Sequence, residues 1–294
     1  MKILNFGSAN IDHVYRTDRF VLPGETKQCA AYSRNSGGKG LNQSVALAKA
    51  GAEVYHAGLL GGEGAFLRGI LEENGVDCRF LKTVDAPSGH AIIEVEGSGQ
   101  NRIMLFPGTN RMLTEAYADS VLSHFGEGDV LLLQNETNLV PYLMRRAAER
   151  GMRIAFNAAP MDAAVPTYPL ALVSWLLVNE TEGEALTGEQ RPEKIAEVAA
   201  ARWQGAALVL TLGTDGCLYR DAEQTLRLPA LRVKAVDTTA AGDTFTGFFL
   251  AAAAGGAPPA RALQLAAAAA AIAVTRPGAA ASVPTLDEAK SFVG

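Results

Sequence analysis

Two stretches rich in small residues carry the groups best suited to chemistry. In Asp237-Thr238-Thr239-Ala240-Ala241-Gly242-Asp243-Thr244-Phe245, small residues run into an apolar segment of helical character, Phe245–Ala254. The first N–H groups of a helix lack partners within it, so Ala240, Ala241, Gly242 and Asp243 would offer an anion hole to a transferring phosphoryl group. Asp243 has two readings: an N-cap worth ~1 kcal/mol, or a carboxylate beside the anion hole that accepts a hydroxyl proton. The second stretch, Gly37-Gly38-Lys39-Gly40-Leu41-Asn42-Gln43, opens a predicted helix over Leu41–Ala50. Its glycines admit a ligand close to the backbone, while Lys39 and the helix N-terminus favour anionic or hydroxyl-rich groups. A glycine hinge bearing a solvated lysine is the competing reading.

Other chemistries are excluded by counting. A phosphate-binding P-loop needs Ser or Thr after its lysine, and Lys39 is followed by Gly40. Gly62-Glu63-Gly64-Ala65-Phe66-Leu67 lacks the third glycine of a dinucleotide fingerprint. His13, His56, His90 and His124 are scattered without ligand spacing, and Cys29, Cys78 and Cys217 are an odd count without Cys-x-x-Cys. A disulfide framework or thiolate metal site is therefore not expected, and a reducing, cytoplasmic setting is.

The elements that must position these residues read as an alternation of short apolar runs and alanine-rich helical segments, the pattern of a parallel sheet covered on both faces. Strands are predicted at Lys2–Gly7, Glu53–Leu60, Asp129–Gln134, Arg153–Asn157, Trp175–Val178 and Ala207–Leu212. The helices Leu41–Ala50 and Val140–Arg150 each end at a glycine, Gly51 and Gly151, suited to the left-handed C′ position. Two stretches depart from the pattern. Gly89–Phe106 reads as a hairpin around Gly97-Ser98-Gly99-Gln100, and Asp12–Asn35 as extended pieces around Pro23-Gly24. Both would fit a small sheet attached to the α/β body, as a lid over a site or as an edge extension without function. Ligands of open parallel sheets sit outside the carboxyl ends of the strands, where this chain places Gln134-Asn135-Glu136, Asn157, Asn179-Glu180-Thr181-Glu182 and Thr211-Leu212-Gly213.

The 294 residues, at roughly 150 per domain, allow two domains or one large one. The absence of an internal repeat or of a linker rich in Pro, Ser or charge favours one. With 48% hydrophobic and 19% charged residues the chain has material for a core, and wholesale disorder is excluded. A net charge of −5 without a basic block gives no support to a nucleic-acid partner. The start, Met1–Gly7, lacks the long apolar region of a signal peptide. The charge-free, mostly apolar stretch between Arg261 and Arg276 is shorter than the ~20 residues needed to span a bilayer.

Taken together, Gly7-Ser8-Ala9-Asn10-Ile11-Asp12, the Gly37–Gln43 motif, Asn179-Glu180-Thr181-Glu182, Thr211–Gly216, the Asp237–Phe245 motif and Ala273–Ala279 resemble, in this order, the ribokinase-like sugar kinases. The resemblance spans Gly7 to Pro284 and implies a mostly parallel central sheet flanked by helices, with a β-sheet lid from segments of about residues 12–36 and 89–107. It implies phosphoryl transfer from ATP to a free sugar, ribose at its 5-hydroxyl being favoured, with Asp243 as general base. Asn10, Asp12, Gly38, Lys39, Gly40, Asn42 and Glu136 would hold the sugar. Asn179, Glu182, Thr211, Gly213, Thr214, Gly216 and Gly242 would hold ATP, with Glu182 reaching Mg²⁺ through water. A K⁺ loop would use Asp237, Thr239, Ala273, Arg276, Gly278 and Ser282, mostly through backbone oxygens. A homodimer covering an exposed lid strand is the expected assembly. Pro107 and Thr109 stand where family members more often carry a small residue and Ala, which leaves open another free sugar, a ketodeoxy-sugar acid or a nucleoside. A regulator that binds sugar or nucleotide without catalysis is the alternative outside the enzymes.

Overall fold

A computed structural model describes residues 1–293. Its strands are β1 (Ile3–Phe6), β2 (Asn10–Arg16), β3 (Ala31–Gly37), β4 (Val54–Leu60), β5 (Asp77–Thr83), β6 (Gly89–Val95), β7 (Asn101–Phe106), β8 (Val130–Gln134), β9 (Arg153–Asn157), β10 (Trp175–Asn179), β11 (Ala207–Thr211), β12 (Cys217–Arg220) and β13 (Thr225–Leu228). The helices are α1 (Lys39–Lys49), α2 (Ala65–Glu73), α3 (Glu115–Leu122), α4 (Val140–Glu149), α5 (Glu180–Thr187), α6 (Pro192–Arg202), α7 (Ala241–Ala254), α8 (Pro259–Ala273) and α9 (Leu286–Val293).

Side-chain alternation explains the layers. In β1, Ile3 faces one core while Leu4 and Phe6 face the other; in β8, Val130 and Leu132 oppose Leu131 and Leu133. A strand apolar on both sides must be covered on both sides. Helices α1, α2, α7, α8 and α9 cover one face and α3–α6 the other. The large sheet runs β13-β12-β11-β10-β9-β8-β1-β4-β5, parallel from β11 to β5, with β12 and β13 added antiparallel. The predicted strands are present within a residue or two at their ends, and β5, β12 and β13 are additional.

The second sheet has the order β3-β2-β6-β7. Its predicted hairpin is present as the antiparallel pair β6 and β7, and β2 joins β6 in parallel. This pairing puts the two stretches that depart from the α/β pattern side by side.

Close backbone approach fixes the two helices that matter most to the site. A Cβ on Gly40 would lie 2.3 Å from the Ser8 nitrogen and 2.4 Å from the Gly7 Cα, so the start of α1 sits directly on the end of β1. A Cβ on Gly247 would lie 2.4 Å from the Ala46 Cβ and 2.8 Å from the Leu47 nitrogen, so α7 packs against α1 with no room for a side chain. Gly247→Ala is expected to push the helices apart and destabilise the fold by roughly 1–3 kcal/mol. Thermal and urea denaturation read this loss, and unchanged midpoints would contradict the contact.

Candidate active site

The carboxyl ends of four neighbouring strands are in register: Gln134 pairs with Asn157, and Asn179 with Thr211. Helix α7 begins above this edge. Between them lies a cavity of about 250 Å³ whose polar lining includes Lys39, Asn157, Asn179, Glu182, Thr211 and Asp243, together with Ala240, Ala241 and Gly242.

Helix α7 starts earlier than its apolar pattern suggests, at Ala241, which places Asp243 inside its first turn. Ala240 precedes it in the left-handed region at φ 58°, and its carbonyl accepts the Thr244 N–H at 2.8 Å. The Ala241 N–H is engaged at 3.3 Å with the Thr238 carbonyl. The Gly242 and Asp243 N–H groups belong to the turn that has no intrahelical partners. Of the amides expected to form an anion hole over Ala240–Asp243, that of Ala241 already has an acceptor.

The Asp243 side chain does not cap its helix. It turns toward α1, where Asn42 Nδ2 donates to Oδ2 at 3.1 Å and Gln43 Nε2 donates to Oδ1 at 2.8 Å. Asp243 is only 8% exposed. The sequence reading assigned Gln43 no role; its position next to Asn42 in the glycine motif was the available signal. The Asn42 Oδ1 is buried and free of a hydrogen-bond partner among the described residues.

The N-terminus of α1 is occupied from within the protein. Lys39 N donates to Glu136 Oε2 at 2.8 Å, the Ser8 hydroxyl donates to the same oxygen, and Gly40 N donates to Ser8 Oγ at 3.2 Å. Glu136 therefore supplies the anion that this helix end was expected to draw from a ligand, and a carboxylate there complements the helix dipole. Burial would lower the Lys39 pKa, but Asp243, Glu136 and Glu182 together raise it above the ordinary lysine value. Burial raises Glu136 and Glu182. Asp12 is pushed up to about 6, by burial first and by the charge of Glu136 second.

Asn10 is held by Asn110, whose Nδ2 donates to its Oδ1 at 2.7 Å. Nearby, the Thr109 hydroxyl donates to the Leu59 carbonyl at 2.8 Å and is fully buried. It points into the body, so the Thr109 departure gives no ground for a changed sugar. Asn179 and Glu182 form a reciprocal cap: Glu182 N donates to Asn179 Oδ1, and Asn179 N to Glu182 Oε2, each at 2.9 Å. The capping reading of these two residues holds, and both also line the cavity.

Thr211 reaches the cavity, whereas Gly213, Thr214 and Gly216 are outside its lining. A Cβ on Gly216, at φ 98°, would lie 1.9 Å from the Leu228 carbonyl oxygen, so this glycine is required by the packing of the chain after β13. The Asp237 carboxylate joins two loops, accepting from Thr239 N and Gly278 N at 2.9 Å each. The Val274 carbonyl accepts from Val236 N and Asp237 N, while Ala273 O accepts from Arg276 N. The Arg276 side chain donates to Glu288, and Ser282 is buried with its hydroxyl on Ala279 O.

Residues 1–286 match the model of the pfkB family of carbohydrate kinases. The chain is 35% identical over 296 residues to a ribokinase of Haemophilus influenzae, covering 98% of this chain and 96% of that one. It is 29% identical to a deoxyribokinase of Salmonella typhi, covering 100% and 99%. An Arabidopsis thaliana ribokinase solved with ribose and ATP superposes with a TM-score of 0.90 at 28% identity, covering 99% of this chain and 98% of that one. The match takes in both β2 and β3 of the smaller sheet and the two helices that meet at Asp243, and the chain belongs to the pfkB family of carbohydrate kinases.

Proposed function

We propose that this ATP-dependent sugar kinase phosphorylates D-ribose at its 5-hydroxyl, with Asp243 as general base. The observation that carries the reading is a carboxylate fixed by two amide donors at the wall of a cavity shared with Lys39 and the amino end of α7. The hydroxyl oxygen attacks the γ-phosphorus as Asp243 takes its proton; the bond to the bridging oxygen breaks, and ADP leaves with the electron pair. Lys39 and the Gly242 and Asp243 amides meet the charge on the transferring group, so catalysis rests on positioning and electrostatics.

Asn10, Asp12, Gly38, Gly40, Asn42 and Glu136 hold the sugar in this reading, the partner-free Asn42 Oδ1 accepting one of its hydroxyls. Asn179, Glu182, Thr211, Gly213, Thr214, Gly216 and Gly242 hold ATP. The segments of about residues 12–36 and 89–107 form a lid on one α/β body and keep water from the phosphoryl group. The Glu182 carboxylate offers hard oxygen suited to Mg²⁺ through water, and Mg²⁺ there would neutralise phosphate charge. The oxygens of Asp237, Thr239, Ala273, Arg276, Gly278 and Ser282 suit K⁺, which would add positive charge near α7. A second copy would cover β7, where Ile103, Met104, Leu105 and Phe106 are 61%, 65%, 51% and 47% exposed on an unpaired edge. No helix among the described residues is long and apolar enough to cross a membrane. Three free cysteines agree with a reducing, cytoplasmic setting.

A coupled assay of ADP formation tests the reading across ribose, deoxyribose, fructose, ketodeoxy-sugar acids and nucleosides, with K⁺ or Na⁺ as the monovalent cation. The highest kcat/KM is expected with ribose in K⁺, and Asp243→Asn should lower kcat by about a hundredfold or more while ATP binding persists. Ribose binding without turnover would favour the regulator, and full turnover by Asp243→Asn would remove the base assignment.

The Asp12 carboxylate accepts sugar hydroxyls when ionised, hence above about 6. As pH falls through that value the ribose KM should rise about tenfold per unit with the ATP KM little changed, and Asp12→Asn should flatten the slope. A ribose KM constant from about pH 5 to 8 would contradict this role. Sedimentation equilibrium is expected to give the mass of two chains, and a single-chain mass would contradict the dimer.

A further inference from the structure

Behind Asp243 lies a line of buried amides. Gln43, Gln134 and Asn5 are 0%, 1% and 0% exposed. Gln43 Nε2 donates to Asp243 Oδ1 at 2.8 Å, and Gln43 Oε1 accepts from Gln134 Nε2 at 2.7 Å. Gln134 Nε2 also donates to Asn5 Oδ1 at 3.1 Å. Asn5 Nδ2 then donates to the Gly40 carbonyl and to Ser44 Oγ, both at 2.8 Å. The line ends where Ser44 Oγ meets His56 Nδ1 at 2.8 Å. Burial holds the His56 pKa down to about 4, so this end is uncharged at neutral pH.

The directions of these bonds are locked together. Turning the Gln43 amide over would set its oxygen against the Asp243 carboxylate. Turning Gln134 over would set its oxygen against both Gln43 Oε1 and Asn5 Oδ1. Each amide therefore has one acceptable orientation, dictated by its neighbours. Burial of three primary amides costs free energy that their hydrogen bonds offset only in part, since Gln134 Oε1 is buried without a partner among the described residues.

We infer that Gln43 is a positioning residue for Asp243, and that Gln134 and Asn5 keep its amide turned so that its N–H points at the carboxylate. The line runs from β1 and β8 through α1 to α7, so the sheet sets the orientation of a carboxylate carried by a helix. Asn42 is given a sugar contact in the proposed function, whereas the hydrogen bonds of the Gln43 side chain go to Asp243 and Gln134. The inference rests on the reading of Asp243 as general base.

The test is a double-mutant cycle with steady-state and single-turnover kinetics. Gln43→Leu keeps the volume and removes the donor; it is expected to lower kcat about tenfold to a hundredfold, with KM for ribose and for ATP within about threefold of wild type. In an Asp243→Ala background the same change is expected to cause no further loss, because nothing remains to be positioned. Equal losses in both backgrounds, or a loss confined to KM and thermal stability, would overturn the inference. If Gln43→Leu does not fold, Gln134→Leu takes its place: it leaves Asp243 untouched and should lower kcat by about threefold, again with no further loss in the Asp243→Ala background. An unchanged kcat in the folded variant would equally overturn it. Wild-type kcat in Asp243→Ala alone would instead remove the base assignment, and so separates the two claims.

Discussion

The site depends on one contact, the meeting of the amino ends of α1 and α7 at the Asp243 carboxylate. These helices lie about 200 residues apart in the chain, and hydrogen bonds from Asn42 and Gln43 join them. Two glycines make the meeting possible. Gly40 lets α1 descend onto β1, and Gly247 lets α7 lie against α1. A side chain at either place would shift a helix by more than a hydrogen bond tolerates. The packing of small residues and the placement of the acid are thus the same constraint viewed at two scales.

Charge is arranged around that contact with little room for exchange. Lys39 lies in the fields of Asp243, Glu136 and Glu182, and their attraction outweighs the cost of its burial. Glu136 neutralises the start of α1, and Glu182 the start of α5, so each carboxylate is held by a backbone amide at a helix start, that of Lys39 and that of Asn179. The amino end of α7 differs: its cap, Ala240, brings no polar side chain, and the Asp243 carboxylate is committed to α1. In the proposed mechanism this is the helix end that receives the phosphoryl group. The mild overall charge of −5 conceals the arrangement, because the positive field is local and made largely of backbone dipoles.

Much of the architecture was legible because it follows from local pattern. The parallel strands, the β6–β7 hairpin and the glycine-closed helices each follow from periodicity or turn chemistry within a few residues, and Gly51 and Gly151 have the positive φ their positions imply. The short strands β12 and β13 were not read, since their few residues give little alternation. At the site, the sequence singled out Asp243, Lys39 and the Asn179–Glu182 pair, which the fold brings to one cavity, but not what each would touch. Asp243 could equally have capped its own helix, and Glu136 could have stood in solvent. Asn5 and Gln134 sit in strands that are otherwise apolar, a local anomaly whose meaning lies in partners distant in sequence. Choice of long-range partner is where a single chain's pattern carries least information.

The smaller sheet completes the arrangement, since Asn10 and Asp12 lie at the start of the strand that leaves the body and Gly37 ends the strand that returns, through Gly38, to α1. One measurement reaches the central claim, that this geometry moves a phosphoryl group from ATP to a primary sugar hydroxyl. Phosphorus NMR of the enzyme incubated with ATP and ribose is expected to show ADP and a phosphomonoester split into a triplet by the two protons of the 5-carbon. A doublet from an anomeric phosphate, or ADP accompanied only by inorganic phosphate, would contradict it.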